Sequence, residues 1–550
     1  MIDIKNILVC SAWPYGYSMP HLGNLMASLL SGDVFARYYR LKGHKTLYVS
    51  GTDMHGTRAE FEAFKRKIDV AELLKENHEH IKKIIKDFEI KFDNYTNTES
   101  IIHKNFVADI YKKMFENGYI STKTEKRAFC KNDKKFLADA FIEGECPRCG
   151  AKDAKGNQCD ACGALLEAED LKKPICKLCG KSDIGFNETK HWFIDLNRLE
   201  PEIKKYVKSH PEWQDNVKNF ATNMLNEGLK PRAVTRDLKW GIPAPFEGAE
   251  DKIIYVWAEA ALGYVSATKE ISDDWKEFWF GNNVKQIYTI GKDNIPFHTI
   301  IFPGQLLASK EGYHLPDQIA STEYLNWEGN QKFSKSRGVG VFTDEALKLM
   351  PATHWRFYLL YDRPETKDTS FSWEELDKCV SQVLIGSISN LVNRTLTFID
   401  SKFKGKVPNA KLNAEDRDIL GFIDQTAEAI DKNIEEGHLR LALDAVSQLA
   451  NKVNAYFQKR EPWKNEEAKP NTLYVCAQIC KALAIFLEPF IPSFSERLWK
   501  ILNIDAKLSW DELKKEIAPE HKINKPEILV EKIDIIELQK KYEAIKSGKS

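Results

Sequence analysis

Seven of the eleven cysteines fall between Cys130 and Cys179, and six of them form three Cys-x-x-Cys-Gly units: Cys146/Cys149, Cys159/Cys162 and Cys176/Cys179. Thiolates two residues apart can meet on one metal ion, and the following glycine lets the backbone turn beneath the sulfurs. In a long chain with no βαβ pattern around them, such pairs point to zinc rather than to disulfides or a redox couple. The first expected site is Cys146, Cys149, Cys159 and Cys162. The second joins Cys176 and Cys179 to Cys130 and Asp133, whose oxygen suits the metal better than the Asn132 amide. Four protein ligands leave no open coordination position, so both sites are expected to be structural. Cys10, Cys379, Cys476 and Cys480 lie in apolar stretches and read as core.

Two further clusters suit phosphate chemistry. His21-Leu-Gly-Asn24 stands where an apolar run hands over to helical spacing. A helix start supplies free N–H groups and positive dipole, Gly23 admits close approach, and His21 and Asn24 add donors. Lys332-Phe-Ser-Lys335-Ser336, closed by Gly338, makes a cationic clamp able to follow charge building on a phosphoryl group. Alone, the first fits a capping histidine and the second a solvated loop.

These residues need a scaffold. Asn6–Ala12 predicts a buried strand, the Pro/Gly-rich Trp13–Pro20 a turn, and Leu22, Leu25 and Leu29 one face of a helix ending near Gly43. With a second strand at Thr46–Ser50 this is a βαβ unit of a parallel, nucleotide-type sheet. Residues 70–117 continue with helical spacing. Lys252–Trp257 and Lys285–Ile290 predict further strands, the latter running into Gly291-Lys-Asp293 and a helix near Pro296. From about residue 376 the spacing is helical, through 381–399, 415–435, 439–458 and 471–502. The expected fold class is α/β: a Rossmann-like parallel sheet split by a zinc-knuckle insertion and followed by an all-α helix bundle. The expected bounds are 1–120 and 246–325 for the two halves of the sheet and 121–245 for the insertion. A lysine-loop segment at 326–378, the bundle at 379–530 and a tail at 531–550 complete the chain.

Composition narrows the function classes. The 550 residues carry 80 basic and 80 acidic side chains, which excludes binding of polyanions by bulk charge. With 43% hydrophobic and 29% charged residues the chain can bury real cores. No apolar run approaches the ~18 residues of a membrane helix, and the start lacks a signal-peptide pattern. A multidomain, cytoplasmic protein is expected.

Taken together and in this order, the His21 and Lys332 motifs resemble the paired signatures of class I aminoacyl-tRNA synthetases. Within that class the chain resembles the methionyl-tRNA synthetase family, of the zinc-containing archaeal and bacterial type. The resemblance runs through Trp13-Pro-Tyr15, Gly51-Thr-Asp-Met-His-Gly56, the cysteine pairs, Trp240-Gly-Ile-Pro243 and Tyr255-Val-Trp257. It continues through Gly291-Lys-Asp293, Phe297-His298, Lys332–Ser336 and Glu461-Pro-Trp463. Asn24 departs from the second signature histidine, Phe333 from the methionine of the lysine loop, and Ala261 from a proline.

The resemblance implies activation of methionine by ATP, with Mg2+, followed by transfer to the terminal adenosine of elongator and initiator methionine tRNAs. It implies catalytic roles for His21, Asn24, Lys332 and Lys335, joined at the nucleotide by Gly23, Asp293 and Ser336. Asp53 would take the methionine ammonium. Trp13, Tyr15, Trp257, Ala260, Tyr264, His298 and Phe302 would enclose the side chain, with Tyr264 and His298 offering hydrogen bonds to sulfur. Asn390 and Arg394, four apart on one helix face, and Trp463 as a stacking platform would read the anticodon. Isoleucyl, leucyl and valyl relatives need longer editing insertions, and a cysteinyl enzyme would use zinc on its substrate. A non-catalytic zinc-bearing tRNA-binding protein is the rival from another class, opposed by the intact lysine loop, Asp53 and Asp293. With no further C-terminal domain in view, a monomer is expected.

Overall fold

The computed structural model describes residues 5–547 apart from 138–140, 157, 158, 160, 161, 163–165, 167, 272, 335 and 336. Five parallel strands form its main sheet, in the spatial order Gln318–Thr322, Val284–Gly291, Asn6–Ser11, Lys45–Thr52, Asn94–Asn97. The central strand is apolar on both faces: Ile7 and Val9 join one core, Leu8 and Cys10 the other. Such a run is what a parallel sheet covered on both sides requires. Its neighbours, Lys45–Thr52 and Val284–Gly291, both follow it in the sequence and lie on opposite sides of it. The loops leaving Asn6–Ser11 and Val284–Gly291 therefore diverge, opening a crevice at the carboxyl ends of these strands.

Three expectations change here. The helical stretch 70–117 is two helices, Val70–Asp87 and Ile101–Glu116, separated by the edge strand Asn94–Asn97. That strand, Asn-Tyr-Thr-Asn, is half-buried throughout and carries no apolar alternation to announce it. In Lys252–Trp257 only Ile253–Ile254 is strand, and Val256–Glu259 is already helix. The Ile253–Ile254 strand pairs antiparallel with Thr235–Arg236, outside the parallel sheet, because its N–H groups are taken by the end of the insertion: Ile254 donates to Ile242 and Tyr255 to Val234. The fifth sheet strand, Gln318–Thr322, is buried along its whole length and was not expected from the spacing.

The insertion is built on a long antiparallel pair, Ile120–Cys130 against Ile184–Ile194, with a small three-stranded sheet around the cysteines. The helical half contains Asn390–Phe403, Ala414–Glu435, Leu439–Arg460, Lys469–Leu487 and Pro492–Leu502. The expected single helix 471–502 is thus two, since Pro492 has no N–H to continue a helix and serves instead at the start of the next one. Contrary to the expectation that no run approaches membrane length, Lys469–Leu487 is long and apolar enough to cross a membrane, but 89% of its apolar stretch is buried within the protein. One face of the sheet and the helix bundle share a continuous apolar core, while the other face packs beneath helices of the insertion.

Candidate active site

The His21 motif is organised by its own backbone. His21 is extended and caps the short helix Leu22–Asn24: the Asn24 N–H donates to His21 Nδ1 and the His21 N–H to Asn24 Oδ1, both at 3.3 Å. With Nδ1 accepting, the imidazole proton sits on Nε2 and the Asn24 NH2 remains a donor. Burial holds His21 down at about 4, so the ring is neutral near pH 7. Its face is stacked on Phe333, with ring centres 4.5 Å apart and planes 6° from parallel. Phe342 stands edge-on to the same ring. Two motifs remote in sequence therefore meet directly. Gly340, at φ +93°, makes room: a Cβ there would lie 2.2 Å from the Phe333 ring.

A cavity of about 330 Å3 fills the crevice. Trp13, Tyr15, His21, Gly23, Asn24, Asp53, Trp257, Ala260, Tyr264, Asp293 and His298, all singled out from sequence, lie on its wall. Phe302 does not. It is fully buried behind the wall, its ring 6.0 Å from that of Tyr264, because the helix Phe302–Ser309 turns this residue into the core. Lys332 is exposed outside the cavity, its Nζ 6.0 Å from the centre of the Tyr324 ring. Lys335 and Ser336 lie outside the described residues.

Asp53 sits at the end of the Lys45–Thr52 strand and is 5% exposed. The Trp13–Pro20 turn is fastened to it: the Asp53 N–H donates to the Pro14 carbonyl at 2.8 Å, and the Gly16 N–H to the Asp53 carbonyl at 2.7 Å. Burial first, then the charge of Glu259, pushes its carboxyl up to about 7, while His55 works the other way. His298 Nδ1 donates to the Asn294 carbonyl at 2.9 Å, and burial holds this histidine down at about 4. Its Nε2 therefore accepts, and the Tyr264 hydroxyl donates to it at 2.9 Å. In this arrangement the Tyr264 hydroxyl proton is shared with His298 Nε2 and the His298 ring proton with the Asn294 carbonyl.

Several wall residues are assigned no role by the sequence. Phe297 packs against Trp257 at 4.7 Å, and the Tyr324 hydroxyl donates to Asp293 Oδ1. Thr322 and Glu323, at the end of the fifth strand, complete that side. Only the strand's position beside Val284–Gly291 brings them in.

The cysteines gather as two four-membered sets, Cys146, Cys149, Cys159 and Cys162, and Cys130, Asp133, Cys176 and Cys179, each with its ligand atoms within 4.8 Å of one another. The sulfurs of Cys149 and Cys159 lie 3.6 Å apart and those of Cys146 and Cys162 3.9 Å. A tetrahedron with metal–sulfur bonds near 2.3 Å has edges of about 3.8 Å, which these two separations match, so the first set suits zinc. In the second, Asp133 Oδ2 stands 3.5 Å from Cys130 Sγ and 3.4 Å from Cys176 Sγ, as a fourth ligand would. All these cysteines are free thiols.

In the helical half, the Arg394 guanidinium lies 4.4 Å from the centre of the Phe457 ring and 5.6 Å from that of Trp463. The two aromatic rings are inclined by 27° at 6.2 Å, and Asn390, one turn before Arg394, is exposed.

Comparison with known proteins agrees with this arrangement. The family model for class I tRNA synthetases (M) matches residues 7–396, and that for the anticodon-binding domain of tRNA ligases matches 416–549. The methionine–tRNA ligase of Saccharolobus solfataricus is 46% identical over 96% of this chain and 95% of its own length. That of Pyrobaculum aerophilum is 46% identical over 92% and 91%. A crystal structure of Mycobacterium tuberculosis methionyl-tRNA synthetase bound by methionyl-adenylate shares the fold, with a TM-score of 0.80 at 20% identity, covering 96% of this chain and 100% of that one. The chain belongs to the class I methionyl-tRNA synthetases, the methionine–tRNA ligases.

Proposed function

We propose that this chain activates methionine with ATP, forming methionyl-adenylate and pyrophosphate, and then passes the methionyl group to the 3′-terminal adenosine of methionine tRNA. The observation that carries this reading is convergence: neutral His21 and Asn24, buried Asp53, Asp293 and an aromatic wall line one cavity, with the lysine loop packed on its rim. The substrate carboxylate is itself the nucleophile at the α-phosphate, and pyrophosphate is the leaving group. The protein needs no covalent intermediate, only positioning and charge stabilisation.

His21 Nε2–H and the Asn24 amide supply neutral donors to the nucleotide phosphates. Positive charge comes from Lys332 and, by family resemblance, from Lys335, with Ser336 beside it. Gly23 keeps the helix start open to the nucleotide. Asp293, oriented by Tyr324, accepts from ribose hydroxyls. Mg2+ accompanies ATP and neutralises phosphate charge. Asp53 takes the ammonium, and Trp13, Tyr15, Trp257, Ala260, Tyr264 and His298 enclose the thioether chain; Phe302 supports Tyr264 from behind. Zinc in the two sulfur-rich sets would cross-link the insertion, a structural contribution with no part in the chemistry. The Arg394–Phe457–Trp463 group, with Asn390, offers a cationic and stacking surface for the anticodon of elongator and initiator tRNAs. We place the enzyme in the cytoplasm and read it as a monomer.

Trp257→Ala tests the pocket. Methionine KM in ATP–pyrophosphate exchange should rise by at least about tenfold, while ATP KM stays within about threefold. Equal losses for both substrates would overturn the assignment of this wall to methionine.

A further inference from the structure

Beneath Asp53 runs a chain of buried charges, distinct from the nucleotide motifs and reaching the aromatic wall through His103, whose ring lies 6.0 Å from that of Trp13. Glu259 is fully buried, and both its oxygens are engaged. Oε1 lies 2.5 Å from His55 Nδ1, and Oε2 lies 3.2 Å from His103 Nε2. The other ring nitrogen of His55 lies 2.6 Å from Glu99 Oε1. Glu99 also pairs with Lys104 at 2.9 Å. A carboxylate at each ring nitrogen is satisfied only when both nitrogens carry hydrogen, so geometry makes His55 an imidazolium. Its backbone N–H donates to Asp53 Oδ1 at 3.2 Å, placing this cation two residues from the carboxylate.

The arrangement answers a physical problem. Asp53 is buried near a second buried carboxylate, Glu259, and two such groups in a dry site do not both stay ionised without a countercharge. A protonated Asp53 has no charge with which to hold an ammonium. We propose that His55, held between Glu259 and Glu99, is a positioning residue for amino-acid activation: its charge biases Asp53 toward the ionised form that takes the substrate ammonium. This rests on the reading of Asp53 as the ammonium partner.

The other titratable groups around the pair are His103 and Lys104 on the Ile101–Glu116 helix, the phenols of Tyr15 and Tyr17, Arg58 and Asp293. Among the described residues, His55 is the cation whose charge acts on Asp53. Burial opposes the charge on His55, but Glu259 and then Glu99 raise its midpoint to about 10, so it stays charged at neutral pH. Asp53 binds only when ionised, so methionine affinity is lost as pH falls through the Asp53 midpoint. Removing the His55 charge moves that midpoint upward.

The test uses the full chain and methionine-dependent ATP–pyrophosphate exchange between about pH 6 and 9. His55→Asn should raise methionine KM at pH 7 by about tenfold or more, leave ATP KM little changed, and shift the KM profile toward alkaline pH. Adding Glu259→Gln should recover part of the affinity, because the uncompensated charge goes with it. A loss equal at every pH, or no recovery in the double variant, would overturn the proposal. Should the variants fold poorly, histidine NMR of the unaltered enzyme decides: a doubly protonated His55 ring at pH 7.5–8 supports it, and a neutral ring contradicts it. Asp53→Asn separates the two levels. If that variant keeps normal methionine affinity, the ammonium reading fails; if it loses affinity while the His55→Asn profile does not shift, only the role of His55 falls.

Discussion

His21 is confined to one role by what touches it. Nδ1 accepts from the Asn24 N–H, and Phe333 covers the ring face, so the side chain offers a single neutral donor, Nε2–H. Burial penalises the imidazolium and holds the midpoint at about 4. Phe333→Ala removes the cover, so the titration of His21 followed by NMR should move upward from about 4 toward the ordinary histidine value of about 6.5. A midpoint that does not move would show that Phe333 is not what shields the ring. His21 and Asn24 were legible in the sequence because a capping motif is local. The stack on Phe333 was not, since it depends on how the lysine loop folds back across the sheet. Glu259 and Tyr324 were equally silent, and His55 stood in the Gly51–Gly56 stretch without a role, each an ordinary polar residue until the fold sets it beside an aspartate.

At the scale of elements, spacing read apolar patterns well and polar edges poorly. The first strand and helix were recognised because leucines and glycines mark them. The Asn94–Asn97 strand was hidden by its polar, half-buried sequence, and Ile253–Ile254 was assigned to the wrong sheet because pairing partners are not written into a short apolar run. The grouping of the cysteines into two four-membered sets was legible, since Cys-x-x-Cys-Gly spacing encodes its own local geometry. The helix Leu439–Arg460 carries Phe457 toward Trp463, and Arg394 comes from Asn390–Phe403. If this junction stacks anticodon bases, Trp463→Ala should lower kcat/KM for tRNA aminoacylation by about 1–3 kcal/mol, roughly 5- to 150-fold. Methionine activation without tRNA should be unchanged. A variant that loses stability but aminoacylates normally would make Trp463 a core residue only.

The whole molecule is joined by buried charge as well as by apolar packing. Arg356 is fully buried and reaches Asp33 at 2.7 Å, the Phe88 carbonyl at 3.0 Å and the Phe490 carbonyl at 2.7 Å. Arg37 extends this network from Asp33 to Glu488. The first helix of the sheet is thereby tied to the end of the Lys469–Leu487 helix. A second group, Arg363 with Ser31, Thr322 and Glu365, links the cavity wall to the start of the helix Leu439–Arg460, where Glu365 accepts from the Arg440 N–H. That helix of 22 residues is about 33 Å long, so one element runs from this charged link, one residue pair removed from the cavity wall, to Phe457 of the aromatic junction. The zero net charge of the chain concealed these localised contacts, because bulk charge reports neither clefts nor buried pairs. The most direct test of the central claim is ATP–pyrophosphate exchange with the purified chain, measured separately with each of the twenty amino acids. The structure predicts exchange with methionine alone; exchange driven by another amino acid, or none with methionine, would contradict it.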